Sequence, residues 1–175
     1  MALVHQGLVS GTGDHLITLD TDTNLEWLNL TATVNLSYLE VLAGAGGYTT
    51  THGFRYATGE EIGLLLQHAG VTKFRTGHNV PFPESNHLAM ETLIELMGGI
   101  PLDPSVVSGA GLVQTQGMMK FRGPGAPTAT TPMSVTQLWL FKNNPTGSYA
   151  DTNPAGQAGK RSSEIGSYLV RNRMA

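Results

Sequence analysis

A mixed α+β fold is predicted by three observations. Two helix-starting capping boxes, each followed by apolar residues at helical spacing, lie between residues 37 and 70. Beyond residue 100 the helical period gives way to Gly, Thr, Ser, Pro and β-branched residues. Runs of strand composition also stand near both ends of the chain. Two to three helices are therefore expected in the first half, with strands and long loops in the second.

Residues 1–13 are Gly-rich and read as an N-terminal arm or a first edge strand, leaving residues 14–175 as a single domain. Leu16 to Leu19 has strand composition, residues 20–24 (DTDTN) form a turn, and Leu25 to Leu30 is a second extended piece around Trp27. Ser37 and Glu40 make the first capping box, and Val41, Leu42 and Ala45 supply the apolar face of a short helix. Gly53 to Tyr56 reads as a short strand leading into the second box, Thr58 with Glu61, where Ile62, Leu65, Leu66 and Ala69 recur at helical spacing before Gly70. Ser85 or Asn86 caps a third helix over about 87–97, which Gly98-Gly99 stops. Strands are expected over 111–116, 118–121 and 134–141. The last has Val135, Gln137, Trp139 and Phe141 on one face and Leu138 and Leu140 on the other, the pattern of a central strand. Two long loops, 121–132 and 142–160, are rich in turn residues, and Ile165 to Arg171 returns to strand composition.

Composition narrows the function classes. Charged residues make up 13% of the 175, about half the usual share, so Thr, Asn, Ser and Gly must solvate the surface. Such a surface suits an extracellular protein or a packed assembly subunit. The net charge of -3 contains no basic cluster, the ten Lys and Arg being scattered singly or in short pairs such as Lys160-Arg161 and Arg171/Arg173, which argues against nucleic-acid binding. The absence of cysteine removes disulfides, thiolate metal sites and cysteine nucleophiles. No apolar run of membrane-spanning length and no signal-peptide pattern occurs in the sequence, so neither membrane insertion nor export by its own leader is expected.

The run LITLDTDTNLEWLNLTATVNLSYLEVLAGAGGY, followed by GFRYATGEEIGLLLQHAG and later GSYLVR, carries a resemblance. It is similar to ectodomains of secreted bacterial proteins with a PEP-CTERM sorting tail and to the Lcl C-terminal family, within the wider C-type lectin-like group. The match covers residues 16–70 and 166–171. The resemblance implies a C-type lectin-like α+β domain whose N- and C-terminal strands pair and whose helices pack on the sheet. It does not extend to the formylglycine-generating branch, whose chemistry needs cysteine, nor to calcium-dependent sugar binding, whose motifs are replaced here by Asn143-Asn144-Pro145 and Asn153-Pro154. No sorting tail of that kind is expected either.

The candidate sites are few. Asp20, Asp22, Asn24 and Glu26 alternate like the opening of a calcium loop, but Leu25 and Thr31 stand where Gly and a bidentate acid are required, so they read as turn residues. His52, His68, His78 and His87 lack the spacing that puts two ligands on one helical face; His68 reads as a surface residue near a helix C-terminus. Trp27 and Trp139 read as core. The loop residues Asn143, Asn144, Tyr149, Asp151 and Asn153 have recognition-loop composition and form the candidate ligand site, with no catalytic residue, metal or cofactor expected.

A non-enzymatic structural or adhesive module on the outside of a particle or cell is the expected function. A phage decoration, fibre or tail-associated subunit is one form, homo-oligomeric or joined to other structural subunits. A soluble lectin-like module binding a surface glycan or protein through loops 121–133 and 143–160 is the alternative. An enzyme would require a pocket joining at least two of Asp14, His52, His78 and Glu84.

Overall fold

A computed structural model of the chain describes residues 3–9, 11–72, 84–100, 112–141 and 149–173. Nine strands and three α-helices occur among them: β1 (Leu3–Gln6), β2 (Ile17–Asp20), β3 (Leu25–Leu28), α1 (Tyr38–Leu42), β4 (Arg55–Tyr56), α2 (Gly59–His68), α3 (Glu84–Met97), β5 (Leu112–Met118), β6 (Pro132–Phe141), β7 (Tyr149–Gln157), β8 (Gly166–Ser167) and β9 (Leu169–Asn172). The α+β class is as the sequence predicts. No helix among the described residues is long and apolar enough to cross a membrane.

The strands form two sheets, here called A and B. Sheet A is antiparallel in the order β1-β2-β3-β9-β4, and sheet B runs β7-β6-β5-β8, with β8 parallel to β5. The C-terminal strand β9 pairs with β3, Trp27 lying opposite Val170. The first strand is β1, two strands away, so it is the third strand and not the first that closes on the C-terminus. Residues 3–6 take the edge-strand form of the two readings open for that segment.

Side-chain alternation covers each sheet on both faces. Trp27 and Val170 point into one apolar cluster with Ile62, Leu65 and Leu66 of α2 and Met90, Leu93 and Met97 of α3. Their neighbours Leu28 and Leu169 point into a second, with Tyr38 and Val41 of α1. Sheet B divides likewise, Leu138 and Leu140 joining the first cluster and Met133 and Val135 the second. β6 is the central strand its two apolar faces predict.

One intervening residue joins β8 of sheet B to β9 of sheet A. Tyr168, between β8 and β9, is where the chain leaves sheet B for sheet A; its N–H donates to the Met118 carbonyl and its carbonyl accepts from Ala57 N–H. The ring is buried edge-on to Trp27, with centroids 6.5 Å apart. Gly117 and Gly166 permit this crossing: a Cβ on Gly166 would stand 2.3 Å from the Leu30 carbonyl oxygen, and one on Gly117 would stand 2.6 Å from the Tyr168 ring.

Several boundaries differ from the sequence reading. Both capping boxes form, but on α1 it is Tyr38 and Val41 that are buried, while Leu42, one residue on and turned about 100° away, faces solvent. α3 starts at Glu84, which places Asn86 inside the helix, where it is buried and accepts from the Thr72 N–H and hydroxyl instead of capping. The two strands expected over 111–121 are one, β5, ending at Met118. The expected loop 142–160 contains β7 over Tyr149–Gln157, since cross-strand pairing with β6 supplies the order that its turn-rich composition does not.

Candidate functional site

Residues 119–121 follow β5 and are held on both sides. Met119 N–H donates to the Ser134 carbonyl, Lys120 N–H to the Ala57 carbonyl, and Phe121 N–H to the Tyr38 hydroxyl at 3.3 Å. Burial pushes the Tyr38 phenol above its ordinary pKa, with the Phe121 bond opposing in part, so it stays protonated. This pinned segment forms one wall of an open groove of about 560 Å³, and the opposite walls are the first turn of α2 and the rims of β6 and β7.

The groove combines several binding chemistries. Lys120 and Arg122 are exposed on its wall, and Glu60 faces them from α2. Phe121 presents a half-buried ring, and Ser134 and Thr152 supply exposed hydroxyl-bearing side chains. The floor is Met119, whose sulfur accepts from Thr136 Oγ1, which also shares a 3.0 Å hydrogen bond with Thr152 Oγ1. Gly59 matters here: a Cβ would lie 2.6 Å from an Arg122 guanidinium nitrogen, so the missing side chain lets the guanidinium lie against the helix start.

α2 is positioned by its own sequence. Thr58 Oγ1 accepts from Glu61 N–H, and Glu61 returns by accepting from Thr58 N–H at 2.8 Å. Arg55 grips the same carboxylate with both terminal nitrogens, at 2.6 and 2.9 Å. The Arg55 bonds, together with the cap and against a burial cost, hold the Glu61 carboxyl at about 2.

Of the candidate ligand residues, Asn143 and Asn144 lie outside the described residues. Tyr149, Asp151 and Asn153 fall on strand β7 and not on a loop, in register with Trp139, Gln137 and Val135 of β6. The register gathers Asp151 with a buried polar row formed by Gln114, Gln116 and Gln137. Gln116 Nε2 donates to Gln114 Oε1 at 2.6 Å, Trp139 Nε1 donates to Gln137 Oε1 at 3.0 Å, and Gln114 Nε2 meets no acceptor among the described residues. Trp139 is thus half-buried with a satisfied indole, whereas Trp27 is the core residue expected.

The other candidates separate. Asp22 N–H donates to Asp20 Oδ1, as a turn requires, but Asp20 is buried and its second oxygen lies 2.8 Å from His68 Nδ1. His68 is therefore a tie between α2 and the end of β2, not a free surface residue. Burial opposes ionisation of Asp20, yet the surrounding hydrogen bonds, that to His68 foremost, together outweigh it and leave the carboxyl below its ordinary pKa. Asp14 accepts from Leu8 N–H, Leu16 N–H and Thr12 Oγ1, holding a surface turn. No group of three or more His, Asp or Glu side chains among the described residues is placed to hold a metal ion. His78 and the Glu84 side chain lie outside the described residues.

Sequence reasoning reached only the edge of the groove. It placed loop 121–133 in a site, but treated Lys120 and Arg122 as scattered charges. The available signal was a KFR triplet at 120–122, an aromatic between two cations at the end of a strand, but the sequence carries the same triplet at 73–75, so the triplet alone does not mark the site. No family model, curated protein or solved structure matches the chain.

Proposed function

We propose that the chain is a non-enzymatic adhesive module, displayed on the outside of a particle or cell, that holds an acidic saccharide in the groove between α2 and sheet B. The observation that carries this reading is the wall formed by Lys120, Phe121 and Arg122. Two cations complement a carboxylate or sulfate, an aromatic ring covers the apolar face of a sugar, and Ser134, Thr152 and Glu60 address hydroxyl groups. The volume lies within the range of about 300–1,000 Å³ typical of ligand clefts. The sparse charge of the whole chain supports a neutral, Thr- and Asn-rich exterior, and the resemblance to ectodomains supports display outside. A phage decoration, fibre or tail-associated subunit is one form of such a module.

A glycan array followed by calorimetry tests the reading. Saturable binding of an acidic oligosaccharide is expected, weakening as salt is raised because both cations are exposed. The double substitution Lys120→Ala/Arg122→Ala should abolish binding while leaving the melting temperature unchanged. Saturable binding that survives this substitution would remove the groove from the proposal.

A further inference from the structure

We infer that β1 is a self-pairing edge through which two copies of the chain join into one ten-stranded sheet. β1 ends sheet A, and the outward N–H and C=O groups of Leu3–Gln6 meet no partner among the described residues. A bare edge pairs with any other accessible edge, which is why end strands commonly carry Lys, Pro or a bulge. The other three sheet ends are protected. β4 and β8 are two residues long, β4 carries Arg55, and β7 carries Pro154 beside a register break between Pro132 and Ser134. β1 has no such protection: its sequence, LVHQ, has no proline, acid, Lys or Arg, and Val4 is 42% exposed. The accessible edge complementary to β1 is therefore another β1.

Symmetry selects the register. Two antiparallel strands related by a two-fold axis perpendicular to the sheet set one residue opposite its own copy. Centring on Val4, the exposed residue of β1, buries two valines against each other, whereas the half-buried His5 already packs edge-on to the His15 ring. The Val4-centred pair places Leu3 opposite His5 of the second copy. Four residues make a small contact, so the equilibrium belongs to the transient class. This goes beyond the role of the groove, and adds to it: a two-fold dimer carries two grooves, which multiplies the avidity for a repetitive target.

Sedimentation of the full chain from about 1 µM to about 1 mM should show a monomer–dimer equilibrium. Val4→Lys and Val4→Glu, each alone, place like charges opposite one another and should weaken dimerisation about tenfold or more. Mixing the two variants should restore a heterodimer, a result that damaged folding would not produce. Hydrogen exchange provides a second measurement, with β1 amides gaining protection as concentration rises. A wild-type chain that stays monomeric over the whole range, or a Val4→Lys variant as dimeric as wild type, would overturn the inference. Neither measurement uses a saccharide, so failure here is distinguishable from failure of the groove.

Discussion

Single atoms decide how the chain crosses from one sheet to the other. At Gly166 the backbone passes so close to the Leu30 carbonyl that a methyl group has no room, and the obstacle is main chain that cannot rotate away. Gly166→Ala is expected to cost about 3 kcal/mol, read as a lowered urea midpoint, while Gly125→Ala in the exposed loop meets no neighbour within 4 Å and pays only for its left-handed backbone. The sequence showed Gly166 as one glycine among 22, with nothing to distinguish it. The same holds for His68, whose partner Asp20 lies 48 residues earlier. Local spacing reports neighbours along the chain and is silent about neighbours across it.

At the scale of the element, α2 was the most legible part of the molecule because its start signals are contiguous. Thr58, Glu61 and the apolar positions Ile62, Leu65 and Leu66 all act within ten residues, and each does what its spacing predicts. The Arg55 clamp gives this element an acid sensitivity. Glu61 is held at about 2 in the folded chain, below its ordinary value of 4.5, so its stabilisation is complete above the unfolded value and is lost as pH falls through the folded one. Because Arg55 is half exposed, solvent screening reduces the effect to about 1 kcal/mol. Denaturation of Glu61→Gln should show a correspondingly smaller loss of stability between pH 4.5 and 2 than wild type. β7 was the least legible element, since Pro, Gly, Asn and Asp favour turns locally while seven pairings with β6 along its nine residues override them.

Across the whole molecule, closure depends on the buried pair Glu26–Arg171, which joins β3 to β9 at 2.7 Å across 145 residues of sequence. Arg171 also donates to the His52 carbonyl and lies 4.6 Å from the centre of the Phe54 ring, so one guanidinium ties three segments together. Glu26→Ala leaves that cation buried without its counter-charge and should cost about 3–5 kcal/mol in chemical denaturation. The residues of this pair were visible as members of two strand-like runs, but the resemblance implied that the C-terminal strand pairs with the first strand, whereas it pairs with the third. What the sequence by itself determined is the α+β class, both capping boxes, the buried centre of β6 and the sparsely charged surface, because each depends on residues within a turn or two of one another. Tertiary structure alone decided the two-sheet arrangement, the order that places β1 at the end of sheet A, and the meeting of α2 with Lys120 and Arg122. Those depend on which strands compete successfully for hydrogen bonds and apolar cover, a comparison among distant segments that no local pattern contains.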